Sequence, residues 1–147
     1  MKYFIVLLCL FVTINFANNK EKEAIKKVIQ TSYVEGLQNE GNLEKVDKGF
    51  HSCFKLLGVK DGKDIWELPI AEWKEKVKER KAKGAYPKSD EKKVTVKFEM
   101  IDITGNAAVA KFKFFVGEKF KYVDYLSLYK FNDGWKIVGK IYYQVAK

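Results

Sequence analysis

Val94 to Tyr143 reads VTVKFEMIDITGNAAVAKFKFFVGEKFKYVDYLSLYKFNDGWKIVGKIYY, and its two-residue rhythm decides the fold. Val94, Val96, Phe98 and Met100 alternate with Thr95, Lys97 and Glu99. Ala108, Ala110, Phe112 and Phe114 alternate with Val109, Lys111 and Lys113. Tyr122, Asp124, Leu126 and Leu128 alternate with Val123, Tyr125, Ser127 and Tyr129. Trp135, Ile137, Gly139, Ile141 and Tyr143 alternate with Lys136, Val138, Lys140 and Tyr142. Successive strand side chains leave opposite faces, so each run predicts a strand with one apolar side. Gly105-Asn106, Gly117-Glu118 and Asn132-Asp133-Gly134 separate the runs with tight-turn residues. Four consecutive strands joined this way form an antiparallel meander, because parallel neighbours need a long crossover. Its apolar face requires a cover.

The preceding residues supply that cover. Ile25, Val28, Ile29, Ser32, Tyr33, Gly36 and Leu37 fall at helical spacing, and Asn39-Glu40-Gly41 ends the helix. Asn42 is placed to cap a short second helix whose Leu43, Val46 and Phe50 face inward. Phe54–Leu57 and Ile65–Leu68 flank Asp61-Gly62-Lys63 as a small hairpin. Pro69 suits the first turn of a third helix with Ile70, Trp73 and Val77 as its buried stripe, and Gly84 ends it. The fold class is therefore α+β, with three helices packed on an antiparallel sheet, in one domain over residues 18–147.

The first residues read as an address. Met1-Lys2 is a short basic start, Tyr3 to Val12 is almost unbroken apolar sequence, and Asn18-Asn19-Lys20-Glu21 is hydrophilic. This is the pattern of a signal peptide over residues 1–17, with cleavage expected near Ala17 and a secreted or periplasmic product. The run is shorter than the ~20 apolar residues that span a bilayer, so no stable membrane anchor is expected after cleavage. Leu8 before Cys9 argues against a lipoprotein signal. Cys53 is then a lone thiol, read as a small buried hydrophobe between His51 and Phe54.

Composition narrows the chemistry. The 147 residues contain two cysteines and one histidine, too few for a disulfide framework or a multi-histidine metal site. There is no glycine-rich phosphate loop, paired-cysteine motif or serine elbow, and no cofactor is called for. The net charge is +9, but Arg80 is the only arginine. Specific phosphate and base readout leans on arginine, so the lysines of the third helix read as a solvated face and no specific nucleic acid is expected as a partner.

A family resemblance appears at Tyr33-x-x-Gly36, Phe50-His51, Ile103-x-Gly105-Asn106-Ala107-Ala108-Val109 and Tyr122-Val123-Asp124-Tyr125-Leu126. It closes with Leu128-x-Lys130, Asp133-Gly134-Trp135-Lys136-Ile137-Val138 and Lys140. In these motifs and their order the chain resembles the nuclear transport factor 2-like superfamily, and within it the group called "putative lumazine-binding" proteins. The resemblance implies a cone: a curved sheet wrapped on helices, with a cavity open at one end. It does not choose an activity, because the superfamily holds enzymes, binding proteins and subunits without chemistry.

The candidate residues follow. Asp124 shares strand parity with Leu126 and Leu128, so it is expected under the helices, either as an acid–base group or hydrogen-bonded to Tyr33, His51 or a backbone donor. His51 has the titration range for proton transfer and would form an acid–base pair with Asp124 if the two face each other. Tyr33, Phe54, Trp66, Trp73, Leu126 and Tyr143 are the candidate ligand-binding residues, with Trp66 and Trp73 as an aromatic lip. These residues favour an exported binding or accessory protein holding a small apolar or aromatic ligand in a mostly apolar pocket. The alternative is a cofactor-independent isomerase, dehydratase or hydrolase using Asp124 and His51. A homodimer through the sheet is the expected protein partnership, because Val109, Val123, Tyr125 and Tyr129 lie on the outer parity.

Overall fold

The computed structural model describes residues 18–146. The signal-peptide reading over residues 1–17 lies outside the described residues. Helix α1 is α-helical over residues 18–28 and continues with wider π-helical turns through Ile29–Glu40. Its buried residues Ile25, Ile29, Tyr33 and Leu37 recur every fourth position. Such a stripe drifts across a helix of about 3.6 residues per turn, and the wider i→i+5 turns hold it against the sheet. Gly41 stops the helix in the left-handed conformation and returns its N–H to the Gly36 carbonyl.

Helix α2 spans Leu43–Gly49, and the Asn42 side chain caps it by accepting from the Lys45 N–H. Strands β1 (Phe50–Lys60) and β2 (Asp64–Pro69) form the expected hairpin. Helix α3 covers Ile70–Ala82 and buries Ile70, Trp73 and Val77, as its spacing predicts. Strands β3 (Val94–Thr104), β4 (Ala107–Val116), β5 (Lys119–Phe131) and β6 (Gly134–Gln144) make the meander.

The sheet has six strands rather than four, in the order β2-β1-β6-β5-β4-β3. The hairpin joins it through β1, which runs parallel to β6. Strand β2, helix α3 and strands β3–β5 lie between them in the chain and provide the long connection that a parallel pair requires. Phe50 belongs to β1 instead of α2, but it is still buried. Asn39 ties α1 to β3: its side-chain amide donates to the Val94 carbonyl at 2.9 Å and accepts from the Val94 N–H at 2.7 Å. Ile25, Leu37, Phe54, Phe112, Leu126, Leu128 and Ile137 fill the space between helices and sheet. Each such side chain contributes roughly 1.5–3 kcal/mol by leaving water.

Strict alternation fails at three places in the meander, one being Lys121, an extra residue in β5 because Phe120 pairs with Phe115 and Tyr122 with Phe114. Phe98 pairs with Phe112 and Met100 with Lys111, so Glu99 is an extra residue in β3. Met100 consequently points out, 42% exposed, and Ile101 and Ile103 pack on the core. In β6, Ile137 pairs with Leu128 and Gly139 with Ser127, which makes Val138 the extra residue. A β-bulge of this kind reverses the facing of every residue beyond it. Lys140 and Tyr142 therefore turn inward, while Ile141 and Tyr143 turn outward.

Candidate functional site

The inward turn of β6 places Lys140 beside the residue that strand parity put under the helices. Asp124 on β5 is fully buried, and Lys140 is 8% exposed. Lys140 Nζ donates to Asp124 Oδ2 at 2.6 Å. It also donates a short hydrogen bond to the hydroxyl oxygen of Tyr33. The Tyr33 hydroxyl in turn donates to Asp124 Oδ2 at 2.8 Å. The three groups close a triangle in which one carboxylate oxygen receives both donors. Asp124 Oδ1 is buried with no hydrogen-bond partner among the described residues.

Burial governs the titration of Lys140 and Tyr33. Desolvation lowers the Lys140 ammonium below its ordinary range, against the opposing charge and hydrogen bond of Asp124. Desolvation first, then the Asp124 charge, raises Tyr33 well above the ordinary phenol range, so Tyr33 stays protonated. The ammonium also lies 5.6 Å from the ring centroids of Phe114 and Tyr142. Such cation–π contacts gain strength when water is excluded.

Lys140 and Tyr33 form part of the wall of a cavity of about 450 Å³. Trp73, Phe114, Tyr122 and Tyr142 supply its aromatic surface, and Leu56, Val94 and Val116 its aliphatic surface. Arg80, Lys88 and Lys92 add three cationic side chains to the lining. The Lys88 ammonium lies 4.7 Å from the centroid of the Tyr86 ring, which also borders the cavity. This volume fits a small molecule. Aromatic faces accept a planar ligand, and the lysine and tyrosine offer polar contacts at one end.

The residues expected from sequence divide into those in this site and those outside it. Tyr33 and Trp73 line the cavity, and Asp124 stands directly behind Tyr33 and Lys140. Phe54 and Leu126 are fully buried core residues: Phe54 packs edge-on to Phe50, and neither borders the cavity. Trp66 is half-buried outside the lining, with its ring against Gly58 and 6.4 Å from the Tyr142 ring. The aromatic lip thus reduces to Trp73. Tyr143 is 62% exposed on the opposite face because of the Val138 bulge, and its neighbour Tyr142 takes the lining position.

His51 and Asp124 are not brought together. The imidazole stacks on Phe131, with ring centroids 5.0 Å apart and planes 10° from parallel. Phe131 ends β5, seven residues beyond Asp124, which at a strand rise near 3.3 Å is roughly 20 Å along the chain. His51 Nδ1 instead meets the Cys53 thiol at 2.9 Å and accepts from the Cys53 N–H. Cys53 itself is exposed, contrary to its reading as a buried hydrophobe. The register of β1 against β6 breaks between Phe50 and Lys55, and that irregular stretch turns the thiol to solvent. Among the described residues, no group of His, Cys, Asp and Glu side chains is arranged to hold a metal ion. On the outer face of the sheet, Val109 and Tyr129 are exposed as expected, together with Ile141 and Tyr143, whereas Val123 and Tyr125 are half-buried.

Lys140 is the site residue that alternation misplaced. The available signal was Val138-Gly139: a glycine inside a strand pattern marks a bulge or bend.

Comparison with known proteins agrees with this architecture. No curated protein matches the chain. A nuclear transport factor 2-like protein of unknown function from Shewanella baltica superposes with a TM-score of 0.67 at 23% identity, covering 87% of this chain and 96% of its own. A similar protein of unknown function from Silicibacter pomeroyi gives a TM-score of 0.70 at 14% identity, covering 87% and 98%. A protein from Streptomyces avermitilis described as a putative dehydratase of the same superfamily gives 0.58 at 12% identity, covering 88% and 99%. Identities this low establish the fold and nothing finer. Residues 20–143 match the family described as "Putative lumazine-binding". The chain belongs to that family and has the nuclear transport factor 2-like fold.

Proposed function

We propose that this protein binds a small planar, heteroaromatic ligand in the cavity bounded by Tyr33, Trp73, Tyr122, Tyr142 and Lys140. The observation that carries this reading is the combination of aromatic walls with a buried ammonium at one end. Stacking on aromatic faces provides affinity for a flat ring system, and the Lys140 N–H groups provide a donor for a ring carbonyl or anionic edge. Lumazine, the molecule in the family description, is a fused planar ring with two carbonyl groups and has this chemistry. Arg80, Lys88 and Lys92 in the lining favour ligands carrying negative charge.

Binding is favoured over the Asp–His acid–base alternative because His51 is held by Phe131 and Cys53, away from the cavity. The test is a titration of the purified protein with lumazine, followed by tryptophan fluorescence and calorimetry, beside native mass spectrometry of the protein as isolated. Saturable one-to-one binding that weakens in Tyr142→Ala supports the reading. Absence of saturable binding, with no co-purifying small molecule, refutes it.

Residues 1–17 support the further proposal that this binding occurs outside the cytoplasm, since a basic start and a short apolar run are what export machinery reads. N-terminal sequencing of protein recovered outside the cytoplasm tests it. A chain beginning near Asn18 agrees, and an intact Met1 in the cytoplasm does not.

A further inference from the structure

A lysine amine confined with a carboxylate and a phenol beside an apolar cavity has chemistry beyond hydrogen bonding. Lys140 Nζ faces Asp124 Oδ2 at 2.6 Å, touches the Tyr33 hydroxyl and shares the cavity wall with Trp73 and Tyr142. We propose that Lys140 captures aldehydes or ketones entering the cavity as an imine, so that the ligand class includes planar aromatic carbonyl compounds held covalently and reversibly. This inference rests on the binding reading above and adds a bond to it.

The step balances without an external reagent. The Lys140 ammonium passes one proton to Asp124 Oδ2 along their existing hydrogen bond. The free amine attacks the carbonyl carbon, a C–N bond forms as the C–O π bond breaks, and one proton moves from the adduct's nitrogen to its oxygen to give the hydroxyl of a carbinolamine. Asp124 returns the proton to that hydroxyl, the C–O bond breaks and water leaves. The product is a protonated imine beside a carboxylate, which has the same net charge as the starting ion pair.

Three features of the site suit this sequence. The buried carboxylate accepts the proton at hydrogen-bond distance and then faces the iminium cation. Tyr33 remains protonated through its burial and the adjacent carboxylate, so it orients the amine without competing for the proton. The apolar surroundings disfavour the charged amine, the usual means by which a lysine becomes nucleophilic near neutrality. The remaining ionisable groups of the cavity are Tyr86, Tyr122, Tyr142, Arg80, Lys88 and Lys92, and no second carboxylate is among its lining residues.

The experiment incubates the folded protein at neutral pH with 2-naphthaldehyde and sodium cyanoborohydride, then maps adducts by peptide mass spectrometry. The expected result is one naphthylmethyl group per chain, on Lys140, and its loss in Lys140→Met. Labelling confined to exposed lysines such as Lys60 and Lys119 overturns the proposal. A parallel lumazine titration separates the two claims. Lumazine binding without Lys140 labelling overturns the imine alone, whereas absence of both overturns the imine and the binding reading together. Mapping on the unaltered chain decides the matter even if Lys140→Met does not fold.

Discussion

Replacing Asp124 by Asn removes the countercharge of a buried ammonium while nearly preserving side-chain shape. At 2.6 Å, and with an effective dielectric of about 20, the direct attraction is about 6 kcal/mol, most of it cancelled in the folded protein by desolvation of both ions. Removing one partner of such a pair costs about 3–5 kcal/mol, because the other charge stays buried without compensation. Asp124→Asn is expected near the lower end, since Lys140 can shed its proton. Lys140→Met is expected near the upper end, because Asp124 retains only the Tyr33 hydroxyl as donor. The double variant leaves no buried ion and should cost only about 1–2 kcal/mol, so the cycle should show a coupling of several kcal/mol. Urea denaturation with a constant slope measures all four corners. For a chain of this size each kcal/mol moves the melting temperature by about 4 °C, placing Asp124→Asn roughly 12 °C below the parent. Additive effects of the two single changes, or an Asp124→Asn variant within about 0.5 kcal/mol of the parent, would refute the buried ion pair.

Three further outcomes follow from the same geometry. Because the folded-state pKa of Tyr33 is raised, its contribution is fully present below the unfolded value of 10.0 and is lost as pH rises above it. Tyr33→Phe should therefore flatten the alkaline fall in urea midpoint between about pH 9 and 11; an unchanged slope contradicts its burial as a neutral phenol. Deleting Val138 should restore strict alternation, turn Lys140 out and expose it to acetylation in the folded protein; continued protection of Lys140 would show that the bulge does not set its direction. Cys53 should react with Ellman's reagent in the folded state without denaturant, and a thiol that appears only on unfolding would contradict its outward position.

How far the sequence discloses this molecule depends on where its periodicities hold. The meander and α3 are legible because Val94–Phe98, Ala108–Phe114 and Tyr122–Leu128 alternate cleanly and Ile70, Trp73 and Val77 keep helical spacing. Asp124 is legible for the same reason: no bulge intervenes between it and Leu128, so parity places it inside. Lys140 is not, because the extra residue at Val138 inverts the facing beyond it, and a lysine on a nominally outer parity reads as solvated. Tyr143 is misplaced by the same inversion. The parallel joining of β1 to β6 leaves no local signal, since it pairs residues more than eighty positions apart. His51 illustrates a different limit. Its residue type suggests proton transfer, but the distance to Asp124 is fixed by strand ends that only the assembled sheet brings into view.

A planar ligand bound in the cavity on the helix-covered face would meet Lys140. A nuclear magnetic resonance titration with lumazine, observing backbone amides and lysine side chains, tests for that contact. The expected result is shifts concentrated at Trp73, Tyr122, Tyr142 and the Lys140 side chain, saturating together with one affinity. Shifts confined to the outer sheet around Tyr125, Ser127 and Ile141, or none at saturating concentration, would contradict it.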